Sequence, residues 1–429
     1  MATVLPLSAE ELSCRIQKNF ERLCEPYYQI GEVFAPPTYD WPGDKEGRAL
    51  LAFACHAKMT GQIVPCMPQM RAVLDEKTNE HDFFGPLAEE IIFEQQLSSH
   101  SWYLRALCAV YRLDNDPADL RRMTNVFEHL FLPTKGRFAT YPIDRPDDGG
   151  GVSGHTAGVL DGWRLSTDIG CAFMSVDGIS DYYEVTRDPR AKELLDEMID
   201  VFVAIDKVAL QAQTHCSLTA TRGMLRLYRL TGEQRYLDSA YSVWNTYINE
   251  GGMTYTYQNF NWWGKGDTWT EPCAIVDSLM VGIQLYELTG DDNALTLARR
   301  IWHNGLASSQ RPNGGAGTET TISDTCDTLK ADLYEAEFCC SMRFAEGLLC
   351  AQEHRELLEA QLNGCVEKDA CGRYHDGDLL YGEILDGVDG LPEQAFAVTL
   401  DGHTLTPLVK YYRLTTEQAA NLRQKILFR

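Results

Sequence analysis

The chain has 429 residues, and its 38 Lys and Arg against 62 Asp and Glu give a formal net charge of −24. This acidity argues against nucleic-acid binding, which depends on clustered basic side chains, and a hydrophobic content of 44% excludes disorder as the main state. The sequence contains no apolar run of about 18 residues, which is the length that would predict a membrane span. The first residues also lack the pattern of a signal peptide, so we expect a cytoplasmic protein.

A short phrase recurs along the chain, in which an aromatic or long residue leads into a Gly, Asn or Pro breaker and then an Asp, Asn or Glu. Its copies lie at residues 58–61, 111–117, 183–189, 228–232, 286–290 and, more weakly, 412–415. Each copy predicts the end of one helix and the start of the next. Apolar residues fall at helical spacing between the copies. The sequence therefore predicts a series of helical hairpins.

The hairpins are spaced too irregularly for a uniform solenoid, but their spacing suits helix pairs that carry long loops. We therefore predict an all-α fold, an (α/α)6 barrel in which a toroid of hairpins places long rim loops around a central cavity. The barrel is assigned to residues 1–365. Residues 366–429 are expected to form an extension that packs on the barrel and is not independent, with a small β element near residues 396–400.

The long loops carry candidate substrate-binding residues. Residues 251–270 combine aromatic side chains with Gly, Asn and Gln, a composition that suits the faces and hydroxyls of sugars. Gln258 and Trp262 are the candidates there, and packing of the loop by its own aromatics is the equal alternative. His155 and His215 are candidates for hydrogen bonding to sugar hydroxyls, although a lone histidine more often has a structural role.

The fourteen cysteines are the feature that most needs an explanation. A chain of this length can bury a core, so we expect most of them to be reduced, buried thiols. Cys339 and Cys340 are adjacent and precede a helical run, and Glu271-Pro-Cys273 also precedes a helix. Helix N-termini favour thiolates, and three thiolates with one carboxylate form a tetrahedral set suited to zinc. Two buried thiols without a metal are the alternative for the adjacent pair.

The order Glu271-Pro-Cys273 followed by Cys339-Cys340 resembles the Glu-x-Cys and Cys-Cys arrangement of the β-L-arabinofuranosidase family of glycoside hydrolases. Residues 41–48, 94–107 and 177–183 are also similar to segments of that family, so the resemblance covers roughly residues 40–355. It implies an (α/α)6 barrel with Zn²⁺ held by Glu271, Cys273, Cys339 and Cys340. It also implies that Cys339 is the nucleophile of a retaining hydrolysis, which passes through a thioglycosyl intermediate.

The general acid of that family is a Glu about sixteen positions before the zinc-binding Glu, and this sequence has Tyr255 there. The acid/base candidates are therefore Tyr255, Glu250, Glu335 and Glu337.

Trp102 stands where the resemblance implies a substrate-binding histidine, and His100 lies two residues away, so both are substrate-binding candidates. Most carboxylates on helix faces, Asp181 among them, are expected to be solvated.

We therefore predict a zinc-dependent cysteine glycosidase that acts on a furanoside or a related small glycan. The acidic surface favours a neutral glycan as the partner, with no nucleic acid and no membrane, and a homo-oligomer is compatible with the sequence. One alternative is a sugar epimerase, isomerase or lyase on the same barrel, with His and Tyr as acid and base and a structural zinc. Another is a non-catalytic carbohydrate-binding protein, because structural zinc sites also have four ligands.

Overall fold

The computed structural model describes residues 3–5, 7–36, 41–87, 90–143, 145, 153–254, 257–265, 270–311, 313–318 and 334–362, and four short strands between residues 367 and 405. The helices in these ranges are α1 (Ala9–Leu23), α2 (Ile30–Val33), α3 (Asp44–Thr60), α4 (Met67–Lys77), α5 (Glu94–Asp114), α6 (Pro117–Val126), α7 (Ser175–Thr186), α8 (Pro189–Ala204), α9 (Thr214–Thr231), α10 (Gln234–Asn249), α11 (Pro272–Thr289), α12 (Asp292–Arg300), α13 (Ala307–Ser309) and α14 (Cys340–Glu353). The strands are β1 (Thr3–Leu5), β2 (Ile92–Phe93), β3 (Thr156–Leu160), β4 (Trp163–Ser166), β5 (Gly317–Thr318), β6 (Tyr334–Glu335), β7 (Ala360–Leu362), β8 (Glu367–Lys368), β9 (Tyr374–His375), β10 (Val398–Leu400) and β11 (His403–Leu405). None of these helices has both the length and the apolar composition that a membrane span needs.

Five of the six predicted helix ends are confirmed. Helices α3, α5, α7, α9 and α11 each end at a residue with positive φ, namely Gly61, Asn115, Arg187, Gly232 and Gly290. In the last four, the N–H of that residue donates to the carbonyl of the tyrosine four positions earlier, at 2.7–2.9 Å. This left-handed cap satisfies a terminal carbonyl and turns the chain out of the helix. The sixth predicted end, at residues 412–415, lies outside the described residues.

An aspartate opens the next helix after three of these ends. The side chains of Asp116, Asp188 and Asp291 accept hydrogen bonds from the first backbone N–H groups of α6, α8 and α12. A side-chain cap of this kind satisfies one of the donors that a helix start leaves unpaired. At these three turns, the recurring sequence phrase therefore specifies both the end of one helix and the start of the next.

The chain divides into two compact units. One, called here the continuous unit, is residues 23–244, and the other, the discontinuous unit, is residues 1–22 with residues 245–429. The predicted boundary at residue 365 adjoins a part of the chain that is described only as short strands, so it stays a prediction.

In the continuous unit, α3 packs on α5, α5 on α7 and α7 on α9, and α4, α6 and α8 pack on the helices that precede them. Each contact in the first series contains a glycine. A Cβ at Gly47 would lie 2.4 Å from the Tyr103 nitrogen, one at Gly178 2.7 Å from the Ser101 oxygen, and one at Gly223 2.6 Å from the Val176 oxygen. These distances are too short for any side chain, so the glycines allow the helix backbones to touch.

Helices α5, α7 and α9 also share a network of buried charges. Asp177 of α7 accepts a hydrogen bond from Arg226 at 2.6 Å and lies 3.0 Å from Arg105 Nε. Asp181, one turn further along α7, accepts from Arg112 at 2.6 Å and is 5% exposed, so the expectation that it is solvated is wrong. Burial alone would raise the pKa of Asp181, but the guanidiniums of Arg226 and Arg112 hold it below its usual range.

In the discontinuous unit, α11 packs against α12 and α14. Strand β1 pairs with β7, β5 with β6 and β10 with β11, all antiparallel. The pair of β10 and β11 confirms the predicted C-terminal β element over residues 398–400. The helices α11 and α14 are the elements that carry the predicted metal ligands.

Candidate metal centre

The predicted ligands lie at the N-termini of two packed helices. Glu271 is the N-cap of α11, and Pro272 occupies the first helical position, where its missing N–H is not needed. Cys339 is the N-cap of α14 and Cys340 is its first residue. The buried Asn259 accepts a hydrogen bond from the Glu271 N–H at 3.1 Å and so fixes the start of α11. The sequence prediction that both motifs begin helices is confirmed.

The four side chains converge on one point. The sulfur of Cys340 lies 3.5 Å from that of Cys273 and 3.4 Å from that of Cys339. One ligand atom from each cysteine and one from Glu271 all lie within 4.8 Å of one another. In a tetrahedral site with zinc–sulfur bonds of about 2.3 Å, the sulfurs are separated by roughly 3.8 Å. The observed spacing is close to the spacing that a zinc ion requires.

The chemistry of the donor set also fits a cation. Glu271 Oε2 is buried and has no hydrogen-bond partner among the described residues. Such an atom costs free energy unless it is bound. Burial raises the pKa of the Cys273 and Cys340 thiols well above the usual value. A bound divalent cation would satisfy the carboxylate and stabilise the thiolates together, so the cluster can hold a metal ion.

A buried ion pair joins the two ligand helices one turn beyond the cluster. Arg343 of α14, four residues after Cys339, donates to Asp277 of α11, which is four residues after Cys273. Arg343 also donates to Glu346. Asp277 and Arg343 are almost completely buried. The ion pair therefore holds α11 against α14 one turn beyond the point where the cysteines meet.

Two of the acid/base candidates lie on the segment that leads into Cys339. The carboxylate of Glu335 accepts hydrogen bonds from Arg22, Asn313 and Ser341. Burial would raise its pKa, but these donors hold the pKa below the usual range. Glu337 contacts Arg22 as well, and its side chain is 44% exposed.

The other two candidates are less closely defined. Glu250 is exposed just after the end of α10. Tyr255 lies outside the described residues. Their acid/base roles stay predictions.

The substrate-binding candidates of the continuous unit have different surroundings. Both ring nitrogens of the buried His100 are used, one by the Phe84 N–H at 2.9 Å and the other by the Gln96 carbonyl at 2.7 Å. Trp102 is buried and stacks on His215 with ring centroids 5.5 Å apart. His155 is exposed, and it is the one of these four whose side chain faces solvent. The environment of His100 favours the structural role for that residue.

The candidates of the discontinuous unit are buried. Gln258 and Trp262 have almost no exposed surface, and the Gln258 N–H donates to Thr254 Oγ1 at 3.1 Å. This placement favours the alternative in which the loop is packed by its own side chains. Their substrate contacts stay a prediction.

Phe338 is a residue that sequence reasoning missed. It precedes Cys339 directly and is 43% exposed, and it is the one large hydrophobic side chain so exposed among the described residues of the discontinuous unit. The adjacent pair Cys339-Cys340 was the signal that could have drawn attention to it. Its position gives the candidate nucleophile an apolar neighbour at the surface.

Glu46 lies in the first turn of α3, and burial raises the pKa of its carboxyl to about 7. The folded protein then holds this proton more tightly than the unfolded chain, so stability is lost as the pH rises from about 4.5 to about 7. We expect Glu46→Gln to be more stable than the parent protein by about 1–3 kcal/mol at pH 8 and to match it near pH 4. Urea unfolding across this range tests the expectation, with Glu10→Gln on an exposed carboxyl as the control. Parallel stability curves for parent and Glu46→Gln would contradict it.

Comparison with known proteins gives a family and a fold. Residues 88–361 match the family described as beta-L-arabinofuranosidase, GH127 catalytic domain. No curated protein sequence matches the chain.

Among solved structures, a cellobiose 2-epimerase from Bacillus thermoamylovorans has a TM-score of 0.56 and 13% identity, with 80% of this chain and 98% of that one covered. A GH127 beta-arabinofuranosidase has a TM-score of 0.55 and 11% identity, with 82% and 60% covered. A GH127 beta-L-arabinofuranosidase from Geobacillus stearothermophilus has a TM-score of 0.50 and 12% identity, with 80% and 59% covered.

The chain spans about three fifths of the length of the GH127 structures that it matches. Likeness at such low identity concerns the fold, and it confirms the predicted (α/α)6-barrel class. The family match is independent of that likeness and extends over well over half of the sequence, including both ligand-bearing helices. The chain therefore belongs to the GH127 β-L-arabinofuranosidase family.

Proposed function

We propose that this protein is a retaining glycoside hydrolase that acts on β-L-arabinofuranosides or related small furanosides, with Cys339 as its nucleophile. The observation that carries the proposal is the convergence of Glu271, Cys273, Cys339 and Cys340 at two helix N-termini in a chain of this family. Zn²⁺ is the metal that best suits three thiolates and one carboxylate.

Bound zinc would keep the Cys339 sulfur deprotonated near neutral pH. The Cys339 thiolate attacks the anomeric carbon, and a carbon–sulfur bond forms while the bond to the leaving oxygen breaks. A general acid gives its proton to that oxygen. Water then attacks the same carbon, the conjugate base takes a proton from the water, and the carbon–sulfur bond breaks to return the thiolate. Two displacements at one carbon retain its configuration.

Among the acid candidates we favour Glu337. It lies two residues before Cys339, and its exposed carboxyl can exchange protons with solvent. Both carboxylates accept from Arg22, but Glu335 also accepts from Asn313 and Ser341. These donors hold the pKa of Glu335 below its usual range, so Glu335 is ionised and less suited to give a proton.

A sugar epimerase is the second candidate function. Its specific support is the likeness of this fold to a cellobiose 2-epimerase, nearly all of which is covered by the match. An epimerase changes one stereocentre and releases no leaving group, so its product differs from that of a hydrolase.

The test is to incubate the zinc-loaded protein with p-nitrophenyl β-L-arabinofuranoside and to follow the products by NMR. We expect release of arabinose with the β anomer formed first, and about one zinc per chain by metal analysis. Zinc binding without hydrolysis, together with epimerisation of a disaccharide, would favour the second function. A metal content near zero after loading would contradict the site assignment.

Phe338 provides a further test of sugar binding at this site. Aromatic side chains stack on the apolar faces of sugars, and we assign to this contact the roughly 0.5–1.5 kcal/mol that a pair of aromatic side chains contributes. We therefore expect Phe338→Ala to raise KM by about 3- to 10-fold, with a smaller change in kcat. Leu113→Ala is the matched control, because Leu113 is 41% exposed and belongs to the continuous unit. Equal KM values for Phe338→Ala and the parent protein would show that Phe338 does not contact the substrate.

A further inference from the structure

We infer that Arg22 and Glu335 are positioning residues that hold Cys339 and Cys340 in their metal-binding arrangement. The inference rests on the proposed metal-dependent function of this site. Arg22 belongs to helix α1, which lies outside the family match at residues 88–361. The inference therefore gives α1 a role in positioning the metal ligands.

Glu335 is saturated with hydrogen-bond donors. One carboxylate oxygen accepts from Arg22 Nε at 2.8 Å and from the Ser341 hydroxyl at 2.7 Å. The other accepts from Arg22 Nη2 at 3.2 Å and from Asn313 Nδ2 at 2.6 Å. The side chain is 15% exposed, so these charge-assisted bonds are shielded from water. A carboxylate with four donors on two oxygens is held in one orientation.

Ser341 links the Glu335 carboxylate to the helix turn that carries the two cysteines. It follows Cys340 directly in the first turn of α14. Its hydroxyl accepts a hydrogen bond from the Ala316 N–H at 2.9 Å while it donates to Glu335. The start of α14 is therefore tied both to the chain beside β5 and to the Glu335 carboxylate of β6.

Helix α1 also contacts the first turn of α14 through hydrogen bonds. Asn19 donates to the carbonyl oxygens of Ser341 and Gly314, each at 3.0 Å. Arg22, one turn further along α1, is buried and donates to both Glu335 and Glu337. One guanidinium thus serves two carboxylates next to the cysteines.

Gly315 leaves space for the Glu335 carboxylate because it has no side chain. A Cβ at Gly315 would lie 1.9 Å from Glu335 Oε1 and 2.7 Å from the Ser341 hydroxyl. Residue 315 must therefore be glycine for the carboxylate to occupy its place.

The charges explain why Arg22 matters to the cysteines. Without the Arg22 guanidinium, the ionised Glu335 would place an uncompensated negative charge on the segment that carries two thiolate ligands. Repulsion would move that segment away from Glu271 and Cys273. Glu335 is in this view a support for the thiol pair and not a proton donor.

The experiment compares Arg22→Met, Glu335→Gln and the double variant by cobalt titration, since thiolate-bound Co²⁺ absorbs light in proportion to the cysteines that it binds. Loss of an outer partner of a metal ligand typically weakens metal binding by about 10- to 100-fold. Arg22 and Glu335 act on the cysteines through Ser341 and the backbone, so we expect each single variant to lose Co²⁺ affinity by about 10-fold, the lower end of that range. The double variant should be little worse than either single variant, because both remove one interaction. Lys18→Met is the matched control on α1, since Lys18 pairs with Glu21 at the surface, and it should retain the parent affinity.

Circular dichroism shows whether each variant is folded, and Arg22→Lys is a milder variant that keeps the charge but loses the two-pronged contact. An intermediate loss of affinity in Arg22→Lys supports the inference. Parent affinity in folded Arg22→Met and Glu335→Gln would overturn it. Parent affinity in Glu335→Gln with lost hydrolysis that an activated leaving group restores would overturn it as well, because Glu335 would then be the general acid. A parent protein that binds no Co²⁺ would contradict the proposed function itself, and the inference with it.

Discussion

Replacement of Cys339 by serine is expected to lower kcat/KM for a furanoside by about 10⁴-fold or more. A serine hydroxyl stays protonated at neutral pH and is a poor nucleophile without a base beside it. The sulfur of Cys339 lies 3.4 Å from that of Cys340, so its loss also removes one donor from the cluster. Initial rates and metal content should therefore be measured on the same preparation. Cys14→Ser, which removes a cysteine that is not part of the cluster, is the control and should keep the parent activity.

The two cysteines of the pair can be distinguished. We expect Cys340→Ser to lose metal and activity together, because Cys340 contacts both other sulfurs. Reloading with excess zinc should restore part of the activity of Cys340→Ser and none of that of Cys339→Ser. Substantial hydrolysis by Cys339→Ser at the parent metal content would place the nucleophile elsewhere.

Replacement of Arg343 by methionine is expected to lower the free energy of unfolding by about 3–5 kcal/mol. The change leaves the carboxylates of Asp277 and Glu346 buried between α11 and α14 without their cation. Breaking a buried pair costs more than the pair contributes, since the remaining charge is desolvated and unpaired. Urea unfolding of the parent and the variant, both without added metal, measures the effect on the fold itself.

Arg355→Met is the matched control for this measurement. Arg355 is half-buried and reaches its carboxylate partners at 4.0 Å, so its replacement should change the free energy of unfolding by less than about 1 kcal/mol. The double variant Asp277→Asn with Arg343→Met should recover part of the loss, because it removes one of the stranded charges. A loss below about 1 kcal/mol in Arg343→Met would show that the buried pair has little weight in stability.

The helix ends were predictable because their chemistry is local, and the candidate metal ligands were found through their resemblance to a known family. A left-handed residue such as Asn115 and the aspartate cap that follows it are encoded within a few positions. Glu271 and Cys273 stand at a helix start marked by Pro272, and the order of the four candidate ligands was visible in the sequence. The fold class followed from the repetition of the same turn.

Contacts between distant segments were not predictable from spacing. Arg22 and Glu335 are 313 positions apart, and nothing near either residue indicates the other. Asp181 was expected at the surface because a carboxylate on a helix face is usually solvated, yet the arginines of two neighbouring helices surround it. The exposure of Phe338 also depends on the whole fold. Each of these features requires knowledge of which helices are neighbours.

The candidate metal centre lies in the unit that is formed from two separate stretches of the chain, and this has a consequence for the order of folding during translation. The chain emerges from the ribosome N-terminus first, and compact units generally fold as they become complete. Residues 23–244 can do so early, whereas β1 must wait for its partner β7 at Ala360–Leu362. Arg22 likewise cannot form its ion pair until Glu335 has been synthesised. The cluster therefore has no complete set of thiols until Cys340 has been synthesised, and a metal at this candidate site would be acquired only after residues 23–244 can fold.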